Sequence, residues 1–335
     1  MRSRNVKKIH TAGDFKIKGA TLIRYVGKAS HVVVPSHVKR LAPHAFYENN
    51  NIKSVVLPRH IRTIPNECFA WCKNLSSVIM PEVRRLKNGA FAWCTNLSEI
   101  DLSDIEYMEA AALYATGLES ATLSPRLKEI PPYCFCKCGL LKEVKIPEDS
   151  IIEKIGKNAF DDVDSLKSLY IPQTVKHISG NFGYAPDLEK ILVARENSVF
   201  FDADGVLCRR NPGGSVTLVH YPAARKTNGV LTIGGEALPA NRIGEGAFHY
   251  PDFADCVIFE ETVECVNFGA LAFYDVKEII IKGADTRIHS TAFCDLSVSN
   301  CIVYIPRGFR NEDILRNQRF EKINVKYLDE IPYKG

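Results

Sequence analysis

Three cysteines within five residues, Cys134-Phe135-Cys136-Lys137-Cys138, form the densest set of candidate metal or redox ligands in the chain. A thiolate metal site needs donors that converge from separate turns, commonly as paired Cys-x-x-Cys motifs, and no such pair accompanies these three. Asp202-Ala203-Asp204-Gly205 opens like a calcium loop, yet the later ligands and the closing glutamate are missing. Asp204-Gly205 between apolar runs reads instead as a hairpin turn. His220, Asp202 and Asp204 are the one local set from which an enzyme could be assembled. Gly234-Gly235 and Gly244-Glu245-Gly246 lack the Lys-Ser/Thr pair of a phosphate loop. The nine histidines show no metalloprotease spacing, and there is no Gly-x-Ser-x-Gly elbow. The expectation is a chain with no catalytic residues, no cofactor and no metal.

What positions these residues is a repeat. Ala45-Phe46, Cys68-Phe69, Ala90-Phe91, Ala112-Leu113, Cys134-Phe135, Ala159-Phe160 and Asn181-Phe182 each set a small or polar residue before a large apolar one. The large residues lie 23, 22, 22, 22, 25 and 22 positions apart. That period is the one expected of leucine-rich repeats, whose units are too small to bury a core alone and fold by stacking. The register also accounts for the cysteines. Cys134 takes the place of Cys68, and Cys138 that of Cys72 and Cys94, each three residues before a leucine. A buried stack of small apolar thiols is expected.

One unit shows the local logic. Val55 and Leu57 alternate with Ser54 and Val56, the period of a short strand with one buried face. Pro58 ends it, having no N–H to give to a ladder. Ile61 and Ile64 point inward across the next turn. Pro65-Asn66-Glu67-Cys68-Phe69 reads as a short helical turn with Phe69 as its buried plug. From residue 194 to about 232 the repeat gives way to Phe200-Phe201-Asp202-Ala203-Asp204-Gly205-Val206-Leu207 and then His220-Tyr221-Pro222, after which it resumes with Ala247-Phe248, Ala272-Phe273 and Ala292-Phe293. The expected organisation is a hairpin cap over 1–30, a first repeat block over 31–193 and a β-hairpin insertion over 194–232. A second block over 233–298 and a C-terminal cap over 299–335, with a helix between Arg307 and Phe320, complete it. The expected fold class is an α/β repeat, a right-handed leucine-rich-repeat solenoid of short parallel strands, turns and short helices.

The chain has 335 residues, 46% hydrophobic and 24% charged, with a formal net charge of +4. That charge gives no argument for nucleic acid, and no apolar run approaches the ~20 residues of a membrane span. Met1 to Lys8 is basic without a following apolar stretch. Eleven cysteines held in a repeat favour reducing surroundings, so a cytoplasmic location is expected.

The strand ending in Ile-Pro (Ile146-Pro147, Ile171-Pro172), the two spaced aliphatics, and the Ala-Phe, Cys and Leu positions closely resemble the BspA-like leucine-rich repeats of bacteria and some protists. The Asp204-to-Leu207 hairpin with Tyr221-Pro222 is equally typical of that family, and the resemblance runs from about Phe15 to Tyr327. It implies the fold above. Characterised members are often cell-surface proteins that bind host or matrix proteins, so it also implies a surface adhesin as the alternative location and role.

Two surface features are candidates for binding a protein partner. The first is the outward row of the principal sheet: Val56, Ile79, Asp101, Thr122, Lys145, Tyr170 and Leu192, with Val33 before it and Ile258, Ile280 and Tyr304 after it. Exposed apolar patches commonly mark contact, although β-branched residues also suit strands. The second is Trp71 and Trp93, at matching positions on consecutive coils. Tryptophan is frequent in interface hot spots and equally a packing residue. A basic line of Lys39, Arg62, Arg84, Lys128 and Lys176, interrupted by Glu106 and Glu153, reads as a solvated face. The functional expectation is a non-enzymatic protein–protein interaction scaffold. A carbohydrate-binding adhesin using Trp71 and Trp93 is the alternative, and an enzyme at the inserted hairpin the third reading.

Overall fold

The computed structural model describes residues 12–180, 182–249, 254–272, 276–293, 301–316 and 323–332. The chain divides into two compact units, Met1–Ile152 and Glu153–Gly335.

In the first unit, three kinds of short segment recur once per coil and stack on their counterparts. The first kind builds a four-stranded parallel sheet from His31–Val33, Ser54–Val56, Ser77–Ile79 and Glu99–Ile100. Its register places Val32, Val55, Val78 and Ile100 in one row. Side chains alternate across a strand, so this middle row turns inward and its neighbours turn outward. Ser120–Thr122 and Glu143–Lys145 form a further parallel pair of the same kind. The second kind is shorter: Thr63–Ile64, Arg85–Leu86 and Tyr107–Met108 pair in parallel and bury Ile64, Leu86 and Met108. At the start of the unit, the hairpin Phe15–Lys18 with Thr21–Tyr25 pairs in parallel with Arg40–Leu41 to form a separate three-stranded sheet.

The third kind holds the plugs, and it corrects the expected short helices. Among the described residues the only α-helix is Glu312–Arg316. Pro65 C=O accepts from Cys68 N–H at 3.2 Å and Phe69 C=O from Cys72 N–H at 3.1 Å, closing two successive four-residue turns. The third residues of these turns, Glu67 and Trp71, have φ of 49° and 63°. A positive φ at that position marks a type II turn. It diverts the chain from a helical path and swings the N–H groups of Glu67, Phe69 and Trp71 toward the next coil. There they donate to Asn88, Ala90 and Ala92 at 2.9, 2.9 and 2.8 Å. In a helix these groups would point along their own axis and leave the seam between coils without backbone bonds. Each left-handed residue costs roughly 1–2 kcal/mol, and three bonds at a net ~0.5–1.5 kcal/mol each offset two of them.

Inside these turns the plugs stack. Phe46 and Phe69 lie 4.7 Å apart at 10°, and Phe69 and Phe91 5.1 Å apart at 2°. The thiols act between coils: Cys72 Sγ donates to Phe46 O and Cys94 Sγ to Phe69 O, each at 3.0 Å, and Cys138 Sγ to Leu113 O at 3.2 Å. Burial pushes the thiols up, Cys72 to about 12 and Cys138 to about 11, because a thiolate there would lose its hydration.

The second unit opens with Lys154–Ile155, paired in parallel with His177–Ile178, and carries the parallel pair Ser168–Ile171 and Lys190–Val193. Phe200–Ala203 and Val206–Arg210 then pair antiparallel across Asp204 and Gly205, whose φ of 48° and 85° suit a type I′ turn. Val216–His220 joins that hairpin antiparallel and continues in parallel to Arg242–Ile243, Cys265–Val266 and Arg287–Ile288. A five-stranded parallel sheet of Gly229–Ile233, Ala254–Phe259, Glu278–Ile281, Ile302–Ile305 and Asn324–Tyr327 lies alongside in the same unit. Asn197 is buried where the repeat changes. Its Nδ2 donates to Pro172 O and Val175 O at 2.9 and 3.0 Å, and its Oδ1 accepts from Val199 and Phe200 N–H at 2.9 and 2.7 Å. The expected capping helix over 307–320 is helical only across Glu312–Arg316. The remainder of that expectation at 317–320 lies outside the described residues, as do Asn181 and Phe273.

Two outcomes follow from this packing. Phe69→Ala removes a ring stacked on both sides and is expected to cost about 3–5 kcal/mol, read as an earlier urea midpoint. The raised thiols add an alkaline limit. The unfolded chain loses its thiol protons near 9.0 while the folded chain holds them to about 12 at Cys72. Their contribution is therefore complete below pH 9 and declines as pH rises from 9 toward 12. Urea midpoints measured across that range are expected to fall, and Cys72→Ala is expected to fall less steeply than wild type.

Candidate partner-binding surface

In the first unit the outward row begins with Val33, Val56 and Ile79, which stand directly opposite one another in successive strands. Val33 and Val56 are half-buried, while Ile79 is 57% exposed. Asp101 lies just beyond the end of its strand and is exposed. Its carboxylate accepts from Ser103 Oγ at 2.7 Å and Ser103 N–H at 3.0 Å, which holds it below the usual carboxylate range. Thr122 and Lys145 face each other across the next pair and are both exposed, with Lys145 Nζ 3.4 Å from Glu143. In the second unit Tyr170 and Leu192 are paired, the first half-buried and the second 41% exposed. The structure thus gives each unit its own set of outward residues.

Further along, Ile258 and Ile280 are half-buried. Tyr304 departs from the expected outward exposure and is buried. Alternation alone would turn it out, but the strand Asn324–Tyr327 pairs beside it and the turn Leu328–Glu330 follows that strand. No sequence pattern had pointed to this last strand.

Trp71 and Trp93 form a column, their rings 4.7 Å apart at 15°. Lys73 Nζ lies 5.4 Å from the Trp71 ring centre, and Tyr114 meets Trp93 edge-on at 5.5 Å. Both tryptophans are half-buried and both have φ of 63°. A bulky residue is strained in that region, and ring stacking worth ~0.5–1.5 kcal/mol offsets part of the strain. Their ring faces are turned toward one another and toward Lys73 and Tyr114.

The cysteine run behaves as part of the core. Cys134, Cys136 and Cys138 are all buried, and burial raises the Cys134 and Cys138 thiols, which disfavours the thiolate a metal would bind. Among the described residues no group of three or more His, Cys, Asp or Glu is placed to hold a metal ion. At the hairpin, Asp202 Oδ1 accepts from Val193 N–H at 2.9 Å and so ties the turn to the neighbouring strand. Asp204 pairs with Arg225. These residues border an open hollow of about 620 Å³ together with Lys190, Leu192 and Lys226. His220 does not line it. Its ring is buried against Phe182 at 5.5 Å, so the three residues weighed as an enzyme site do not share one hollow.

Two members of the basic line, Arg62 and Arg84, are ion-paired, and so is their neighbour Arg126. Arg62 pairs with Glu82, Arg84 with Asp104 at 2.9 Å, and Arg126 with Asp104 and Glu106 at 3.3 Å each. One position along, Arg85 and Tyr107 come together with Lys87 and Lys128 around a second hollow of about 630 Å³. Sequence reading missed it because Arg85 and Tyr107 meet only through strand register.

The family described as the BspA type leucine rich repeat region matches in six copies, over residues 3–84, 20–139 and 62–189, which together span more than half of the chain. Among solved structures, the chain is similar to a leucine rich cell surface protein from Faecalibacterium prausnitzii. Identity is 19%, coverage 95% of this chain and 94% of that one, and the TM-score 0.72. It is also similar to the pneumococcal vaccine antigen PcpA, at 15% identity over 92% of each chain, with a TM-score of 0.51. No curated protein matches it. At these identities the structural likenesses show a fold, a solenoid of parallel strands in stacked coils, while the repeat match shows kinship. The chain belongs to the BspA-type leucine-rich-repeat family.

Proposed function

We propose that the chain is a non-enzymatic scaffold that binds a protein partner on the outward rows of its principal sheets. Val56, Ile79, Asp101, Thr122 and Lys145 serve in the first unit, Tyr170 and Leu192 in the second. The observation that carries this reading is Ile79, a large apolar side chain 57% exposed beside Val56 on a rigid sheet. Covering such a side chain fully is worth about 1.5–3 kcal/mol, and Asp101, Thr122 and Lys145 on the later coils of the same unit add polar contacts. The blocks 31–193 and 233–298 are the right-handed binding solenoid, 1–30 and 299–335 its caps, and 194–232 the hairpin insertion. Trp71 and Trp93 take a secondary part, since their ring faces are occupied within the column.

A second reading, a surface adhesin, is favoured by the likeness to the leucine rich cell surface protein of Faecalibacterium prausnitzii. The repeat-locked buried thiols favour a reducing, cytoplasmic setting instead. Among the described residues no helix is long and apolar enough to cross a membrane.

The test is affinity capture from native-host lysate and from host-surface extract, with Ile79→Glu and Leu192→Glu run beside wild type. Both substitutions change exposed side chains and are expected to shift stability by less than about 0.5 kcal/mol. Partners retained by wild type and lost by either variant support the reading. Profiles that all three proteins share would reject the sheet rows as the contact surface.

A further inference from the structure

We propose that the hollow on the second strand ladder of the first unit is a binding site for an acidic polysaccharide. It measures about 630 Å³ and is lined by Arg85, Lys87, Glu106, Tyr107, Arg126 and Lys128. Arg85 and Tyr107 stand directly opposite in adjacent parallel strands. Tyr107 is 48% exposed, with Lys87 Nζ 5.4 Å from its ring centre. Lys87 and Arg126 are already matched by acids: Lys87 to Glu109 at 2.6 Å, Arg126 to Asp104 and Glu106 at 3.3 Å each. Arg85 and Lys128 are exposed and make no ion pair among the described residues. The hollow therefore offers two uncommitted cations around an accessible aromatic ring.

Three features select the ligand class. Arg85–Leu86 is the middle strand of its ladder, and Tyr107–Met108, which ends it, is two residues long, a short edge for a peptide to extend. A single ring lines the hollow, whereas single-stranded nucleic acid is held by successive stacking platforms. A sugar chain needs neither. Its apolar C–H face covers a tyrosine ring while its carboxylate or sulfate groups meet arginine and lysine, with arginine suited to a bidentate grip. The tryptophan column is less suited to this task, because its ring faces are engaged within the column.

The experiment is calorimetric titration of the full chain with a heparin oligosaccharide and with polygalacturonate, beside uncharged dextran and poly-glutamate, at low and physiological salt. The expected result is binding of at least one of the two acidic polysaccharides, weaker at higher salt because exposed charges are screened. Heparin alone would assign sulfate recognition, and polygalacturonate would assign carboxylate recognition. Arg85→Ser combined with Lys128→Ser is expected to weaken binding about tenfold, and Tyr107→Ala to weaken it as well. Lys53→Ser with Lys142→Ser removes the same charge elsewhere and is expected to leave binding unchanged. All these side chains are exposed or half-exposed, and melting curves beside wild type check that each variant is folded. The proposal is overturned if neither polysaccharide binds, if poly-glutamate binds equally well, if the control pair weakens binding as much, or if Tyr107→Ala has no effect.

Discussion

Everything in the first unit depends on backbone N–H groups turned sideways, out of their own coil and into the next. A buried N–H without a partner is costly, so a coil that directs three of them outward is incomplete until its neighbour is in place. The turned groups at Glu67, Phe69 and Trp71 are supported by two left-handed residues per coil, and the plug they carry fits between plugs of adjacent coils. Strain, hydrogen bonding and aromatic stacking thus require the same thing, a second coil in register. The thiols add to this seam, each donating across it to a plug carbonyl.

That arrangement also determines where recognition can occur. Interior positions are committed to stacking, and the described hollows lie open at the surface rather than within the core. Outward side chains fall into columns because each strand repeats the position of the one before it, about 4.8 Å away. A column is a fixed ruler of side chains, and its chemistry changes coil by coil without disturbing the core behind it. Val56 and Ile79 make one stretch apolar, while Arg85 and Tyr107 give a different ladder a cationic and aromatic character.

Much of this was legible in the chain itself, for local reasons. The plug spacing from Phe46 to Phe182 and the alternation of Val55 and Leu57 reflect burial that every coil must repeat. Asp204-Gly205 reflects a turn with two positive φ angles that few residue pairs accept. What stayed hidden is non-local. Pro65 to Phe69 suits a helical turn on composition, and the type II geometry is selected only by carbonyls of the following coil. Tyr304 has the parity of an outward residue, and its burial comes with a strand beginning at Asn324. Arg85 sits beside the basic line that the repeat displays, yet its meeting with Tyr107 depends on strand pairing rather than on sequence neighbours.

Asn197 carries a consequence for how such a chain can change length. One side-chain amide joins Pro172 and Val175 to Val199 and Phe200, using both donors and accepting twice through its oxygen. Its reach is that of a single rigid group, so the path between residue 175 and residue 197 must return the backbone to within ångströms of the same place. Insertions there would have to be swallowed entirely by an outward loop. Elsewhere the chain can gain or lose a whole coil and still match its neighbours. The amide therefore acts as a fixed joint between repeat and hairpin, around which growth by duplication is confined to complete turns.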